Sequence, residues 1–137
     1  MKLWLDDIRD PDKFRPGEEW IWCRTNTELI RILMTVNPDY IESFAVDHDK
    51  SHLCWVDPKE LTIHQDSGEM RIFQEFACDE TYEAGVRAIA MWAQLHDKGN
   101  VPIEIITSNT AKISPYREIL GNRFVITVNT GGCQRPA

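Results

Sequence analysis

Apolar positions along this chain fall into two rhythms, short continuous runs that suit buried strands and stripes at i, i+3, i+4, i+7 that suit one face of a helix. Lys2-Leu3-Trp4-Leu5-Asp6 is the first run and predicts a strand over 2–6. The stretch Asp7 to Asp12, with Pro11 inside it, forbids an immediate helix and predicts a loop reaching Gly17. Trp20-Ile21-Trp22-Cys23 is aromatic and β-branched and reads as a second strand. Thr25 and Glu28 then form a capping box ahead of Leu29, Ile32, Leu33 and Val36, one apolar helical stripe that Asn37-Pro38 ends. Ser43-Phe44-Ala45-Val46-Asp47 is the third strand.

The pattern changes over 53–76, where Leu61 and Ile63 precede Asp66-Ser67-Gly68 and Met70 and Ile72 follow it, the signature of an inserted β-hairpin. That hairpin either hangs over the strand ends as a flap or covers a sheet edge. Asp79 caps a long helix over 80–97, in which Tyr82, Val86, Ile89, Ala90 and Ala93 share a face and which Gly99 stops. Pro102 to Thr107 is a buried-strand run. Ser114-Pro115 fits an N-cap with Pro at the first helical position, Gly121 fits the end of that short helix, and 124–128 is the last strand. The tail 129–137 is expected to be flexible. The alternation predicts a single domain, 1–137, of α/β class: a three-layer, open, mostly parallel five-stranded sheet in which ligands bind beyond the carboxyl ends of the strands.

Those ends carry Asp6-Asp7, Asp47-His48-Asp49 and Thr107-Ser108-Asn109. Carboxylates gathered that closely repel unless a cation holds them, and a hard divalent ion, Mg²⁺ or Mn²⁺, takes carboxylate oxygens while keeping positions for water and a phosphate. Asp6, Asp7 and Asp47 are therefore the candidate metal ligands. Arg9 follows the acidic pair, and its planar fork suits a phosphate; the bland alternative is a surface charge paired with Asp10 or Asp12. Arg24 precedes a helix N-terminus and could act similarly. Ser108 and Asn109 can hold phosphate oxygens or simply cap the following turn. His48 is either packed against a helix or serves as acid or base, and Asp49 then orients it or a metal-bound water. His48 and His52 have the spacing of a transition-metal pair, but Lys50-Ser51 gives no sign of helix between them. Trp4, Trp20, Trp22 and Trp92 read as core rather than as base-stacking platforms.

Composition narrows the class. Hydrophobic residues at 42% exclude a disordered chain, and no apolar run is long enough for a membrane span. A formal net charge of −7 argues against strong binding to duplex nucleic acid, which needs clustered cations, but not against a small phosphorylated ligand held through a metal. Cys23, Cys54, Cys78 and Cys133 form no C-x-x-C pair, and the opening residues lack a leader pattern, so reduced thiols and a cytoplasmic location are expected.

The strand-end constellation resembles a response-regulator receiver domain, a flavodoxin-like fold. The resemblance implies a metal-binding acidic pair at Asp6 and Asp7, a phosphoacceptor at Asp47, and a phosphoryl-contacting hydroxyl at Thr107 or Ser108. The chain departs from receivers in having Thr127-Val128-Asn129 where a Lys ends the last strand, and a Pro-containing loop in place of the first helix. It is more similar to a divergent branch, the cyclic-phosphate processing receiver-like family. Leu3 to Pro11, Arg24-Thr25, Asp47 to Asp49, and Thr81-Tyr82-Glu83 running to Trp92 carry that likeness. That family often has a His beside the Ser after the fourth strand, and Thr107-Ser108 lacks it.

This likeness implies a metal-dependent phosphoesterase, a hydrolase that opens a cyclic phosphate on a nucleotide, an ADP-ribose derivative or an RNA end. Asp47, His48 and Asp49 would be catalytic, and Arg9, Thr107, Ser108 and Asn109 would hold phosphate. The nucleophile is either Asp47 or a metal-activated water with His48 as acid or base. Two rivals stand beside it: a non-enzymatic signalling receiver phosphorylated on Asp47, and a protein that sequesters a nucleotide without turning it over.

Overall fold

A computed structural model of the chain describes residues 1–6, 9–47, 82–107 and 113–129. Its strands are β1 (Lys2–Leu5), β2 (Trp20–Cys23), β3 (Ser43–Asp47), β4 (Val101–Ile106) and β5 (Phe124–Asn129). They form one five-stranded sheet in the order β2-β1-β3-β4-β5, with every neighbouring pair parallel. The α/β receiver-like architecture expected from the sequence is therefore present. The hairpin expected over 53–76 and the tail from 130 lie outside the described residues.

The helices are α1 (Pro11–Phe14), α2 (Asn26–Thr35), α3 (Tyr82–Leu95) and α4 (Ile113–Leu120). The first corrects the loop expected from 7 to 17. Asp10 accepts the Asp12 N–H at 2.9 Å and Pro11 stands at the first helical position, so the residues that break a strand here start a helical turn. Thr25 caps α2 as expected, its hydroxyl accepting the Glu28 N–H at 3.1 Å, while the Glu28 carboxylate reaches back to the Arg24 N–H at 2.6 Å. α4 includes Ser114 within its span rather than starting after it, and Gly121 takes the left-handed φ of +66° that closes the helix.

Strand alternation divides the sheet into two unlike faces. Leu3, Leu5, Phe44, Val46, Ile103 and Ile105 point to one side, where Leu29, Ile30 and Leu33 of α2, Val86, Ile89, Trp92 and Ala93 of α3, and Tyr116 and Leu120 of α4 cover them. Trp92 is fully buried and meets Phe44 edge to face at 5.4 Å. On the other side Trp4, Ala45 and Ile106 form a smaller cluster, covered by Phe14 and flanked by Trp20 and Trp22. Trp4 and Trp20 meet edge to face at 5.5 Å. Gly85 lets α3 approach β1, since a Cβ there would lie 2.6 Å from Leu5 Cδ2 and 2.8 Å from Asn26 Oδ1. Among the described residues no helix is long and apolar enough to cross a membrane.

Candidate metal and phosphate site at the strand ends

In this strand order the chain steps from β1 outward to β2 and then back across β1 to β3, so the direction of winding reverses between β1 and β3. Helices that leave neighbouring strand ends in opposite directions open a crevice there. The register pairs Leu5 with Val46, so the next position on each strand is Asp6 on one side and Asp47 on the other. Adjacent strands are about 4.8 Å apart, which brings these two residues' backbones together at the crevice. Asp47 in turn pairs with Ile106, ahead of Thr107. The sheet thus brings together Asp6, Asp47 and Thr107, three of the positions expected from the sequence. Asp7, His48, Asp49, Ser108 and Asn109 lie outside the described residues.

Asp6 is only 1% exposed, although it carries a carboxylate. Burying such a group is costly unless donors surround it, and the local chain supplies them. Asp6 Oδ1 accepts the Arg9 N–H at 2.9 Å, and Oδ2 lies 3.6 Å from Arg9 Nη1. Two indoles fix the backbone on either side of this pair. Trp22 Nε1 donates to the Asp6 carbonyl at 2.7 Å, and Trp4 Nε1 donates to the Arg9 carbonyl at 3.0 Å. The Asp6 N–H donates to the Cys23 carbonyl at 3.1 Å, extending the β1–β2 pairing by one step. Arg9 is therefore a partner of Asp6 rather than of Asp10 or Asp12. The tryptophans do belong to the core, and two of them also hold the acidic loop.

Thr107 is buried, and its N–H donates to the Asn129 carbonyl at 3.0 Å, which ties the end of β4 to the end of β5. The Arg24 guanidinium lies over the Trp22 ring, 4.9 Å from its centroid. Cys23, at the end of β2, is buried against the core, and burial together with the nearby Glu28 carboxylate pushes its thiol up to about 12. It is a packing residue and not a nucleophile.

Two charged residues that sequence reasoning did not single out meet on the tryptophan face of the sheet, below these strand ends. Glu104 Oε2 accepts both Arg15 Nη2 at 2.5 Å and Asn129 Nδ2 at 3.0 Å. The visible signal was Glu104 itself, a charge inside the otherwise apolar run of β4, since such a residue needs a partner. Nothing in the sequence marks Arg15 as that partner.

Hard oxygen donors at strand ends suit a divalent ion such as Mg²⁺, and Asp6 has the burial of an inner ligand. No group of three or more His, Cys, Asp or Glu side chains able to hold a metal is found among the described residues. The cavity between the ends of α3 and α4, about 570 Å³ and lined in part by Gln94, Lys98, Ile119 and Arg123, opens beside the starts of β4 and β5, at the opposite pole from these carboxylates.

Compared with known proteins, residues 1–68 match the family described as the cyclic-phosphate processing receiver domain. No curated protein and no solved structure matches the chain.

Proposed function

We propose that this chain, which belongs to the cyclic-phosphate processing receiver domain family through residues 1–68, is a metal-dependent phosphoesterase that opens a cyclic phosphate on a nucleotide, an ADP-ribose derivative or an RNA end. The observation that supports the reading is the buried Asp6 carboxylate, one step past the Leu5–Val46 pair that Asp47 also follows, where the winding of the sheet reverses. A carboxylate kept dry at the end of a strand and clamped by an arginine is preorganised for charge that arrives with a ligand.

Asp6, Asp7 and Asp47 would hold Mg²⁺ or Mn²⁺. Bound there, the ion supplies the charge that polarises a phosphoryl group and stabilises its oxygens. Arg9 would act on both partners, because a guanidinium carries five N–H donors, more than Asp6 alone can take. Thr107 and, beyond the described residues, Ser108 and Asn109 would hold further phosphate oxygens.

Two ring-opening routes fit these residues. In one, an Asp47 oxygen attacks phosphorus, the ring P–O bond breaks, and the departing ester oxygen takes a proton from His48. Water then attacks phosphorus and releases Asp47, leaving a phosphate monoester. In the other, water attacks phosphorus directly as His48 accepts its proton, the ring P–O bond breaks, and the departing ester oxygen takes that proton from His48, with Asp49 orienting the imidazole. Rapid acid quenching followed by intact-mass measurement separates them, since the first route leaves the whole ligand attached to Asp47.

The test of the function is a screen of cyclic phosphates with Mg²⁺ or Mn²⁺ against the wild type and Asp47→Asn. Ring opening that depends on metal and is lost in the variant supports the reading. Ring opening that survives the substitution, or a ligand recovered unchanged by the wild type, refutes it.

A further inference from the structure

Trp22 is level with Trp4 in the β1–β2 register, and Asp6 lies two residues further on, about 7 Å along the strand. The Trp22 Nε1 nevertheless reaches the Asp6 carbonyl at 2.7 Å. The indole therefore leans along β2 toward the carboxyl end of the sheet, and its nitrogen edge stands beside the acidic corner. The Arg24 guanidinium lies over this ring, 4.9 Å from its centroid, and so stands at that corner too. The bond from the Asp6 N–H to the Cys23 carbonyl carries the β1–β2 pairing one step beyond Leu5 and Cys23, which sets Arg24 and Asp6 on adjacent chains just past the last pair.

The stack is anchored from both sides. Glu28 accepts the Arg24 N–H at 2.6 Å, which fixes the backbone from which the side chain leaves, and Trp22 packs against the cluster of Trp4, Ala45 and Ile106. One face of the guanidinium rests on the indole, yet Arg24 is exposed, so the exposure falls on the side turned away from the ring. A guanidinium plane takes a nucleobase much as an aromatic ring does. Stacking uses the plane rather than the N–H edge, so hydrogen bonds made at the edge do not compete with it. Only β1 separates β2 from β3, so two strand spacings, about 10 Å, lie between the backbones of Arg24 and Asp47. One nucleoside monophosphate is long enough to span them.

We infer that Arg24, laid on Trp22, is a stacking platform for the base of a nucleotide ligand, and that it selects ligands whose base is carried by the same sugar as the phosphate. The inference rests on the strand ends being a phosphate site and narrows the ligand class proposed for it. A nucleotide or an RNA end meets the condition, whereas a cyclic phosphate on the base-free ribose of an ADP-ribose derivative does not. Every base has a flat face, so the platform separates nucleotides from sugar phosphates and not one base from another.

The probes are adenosine 5′-monophosphate and ribose 5-phosphate, which differ only in the base, titrated calorimetrically at saturating Mg²⁺ into the full chain and into Arg24→Ala and Arg24→Lys. Wild type should bind the nucleotide about tenfold or more tightly than the sugar phosphate, the scale of one stacked base. Both variants should lose that preference, because lysine keeps the charge but has no plane, while their affinity for ribose 5-phosphate stays within about twofold of wild type. Arg24→Lys holding the nucleotide like wild type, an equal loss of both ligands in Arg24→Ala, or a wild type that binds the two alike or binds neither overturns the platform. A nucleotide preference that depends on Arg24 without any opening of cyclic phosphates leaves the platform standing and removes the phosphoesterase. Ring opening as fast on a base-free cyclic sugar phosphate as on a cyclic nucleotide does the reverse.

Discussion

The Trp4 indole N–H donates to the Arg9 carbonyl at 3.0 Å, so a buried side chain of β1 holds down the loop that returns over its own strand end. Arg9 in turn donates its backbone N–H to Asp6 at 2.9 Å. A core residue and the candidate site are joined by two hydrogen bonds, and this makes Trp4 the informative position to change.

Trp4→Phe keeps most of the apolar volume and removes the donor. The Arg9 carbonyl is then left without its partner in a half-buried place, a loss of about 1–3 kcal/mol. Urea unfolding should show that decrease, and Mg²⁺ affinity should fall with it because Arg9 no longer holds Asp6 in one orientation. Unchanged stability would mean that water replaces the indole without cost.

Asp6→Asn retains an acceptor for the Arg9 N–H and removes the charge opposite the guanidinium. The fold should persist, since the carboxylate is a costly group to bury in any case. Metal binding by calorimetry should weaken by about 100-fold, the order expected on losing a charged oxygen ligand. A variant that binds Mg²⁺ like wild type would exclude Asp6 from the metal site.

Gly85→Ala tests how tightly α3 is pressed on β1. Alanine favours a helix over glycine by about 1 kcal/mol, but its methyl would meet Leu5 and Asn26, both fully packed. Overpacking of that kind costs about 1–3 kcal/mol, so a net loss is expected in thermal or urea unfolding. Leu5 precedes Asp6, and the displacement should also reduce metal affinity. A stabilised variant would show that the contact relaxes freely.

Cys23 gives a pH dependence of fixed sign. Its thiol is raised from 9.0 to about 12, chiefly by burial, so the unfolded chain loses this proton first. The contribution to stability is full below pH 9 and shrinks as pH rises toward the folded value, by about 1.4 kcal/mol per pH unit. Urea unfolding between pH 8 and 11 should steepen accordingly in a chain with Cys54, Cys78 and Cys133 replaced by Ser, and Cys23→Ala should flatten the curve. Rapid modification of Cys23 by a thiol reagent at neutral pH would contradict its burial.

Much of this architecture was legible because each strand is a short apolar run and each helix has its own cap or stripe. Thr25 with Glu28, the stripe Leu29 to Leu33 and the run Phe44 to Val46 all have local causes, and the structure shows each where its pattern places it. The parallel pairing of β1 with β3, which ends at Leu5 and Val46, followed from the alternation of elements. The exceptions lie where distant segments decide. Asp10-Pro11-Asp12 reads equally as a strand breaker and as a helix start, and packing of Phe14 beside Trp4 settles it. The meeting of Arg15 with Glu104 spans 89 residues of chain, and no periodicity encodes a contact across three strands.

The two faces of the sheet are closed by unequal means. α2, α3 and α4 seal one with interlocked helical side chains, whereas the described cover of the other is one helical turn and the loop around it. Opening that loop exposes few core residues, so its free energy lies well below that of global unfolding. Arg9 rides on it and leaves Asp6 when it opens. Loss of the site and loss of the fold are then separate events, and amide exchange over 9–19 should run faster than exchange in β1 and β3. A ligand held by Arg9 would slow exchange in that loop first, which makes its protection a sensor of occupancy before any product is formed.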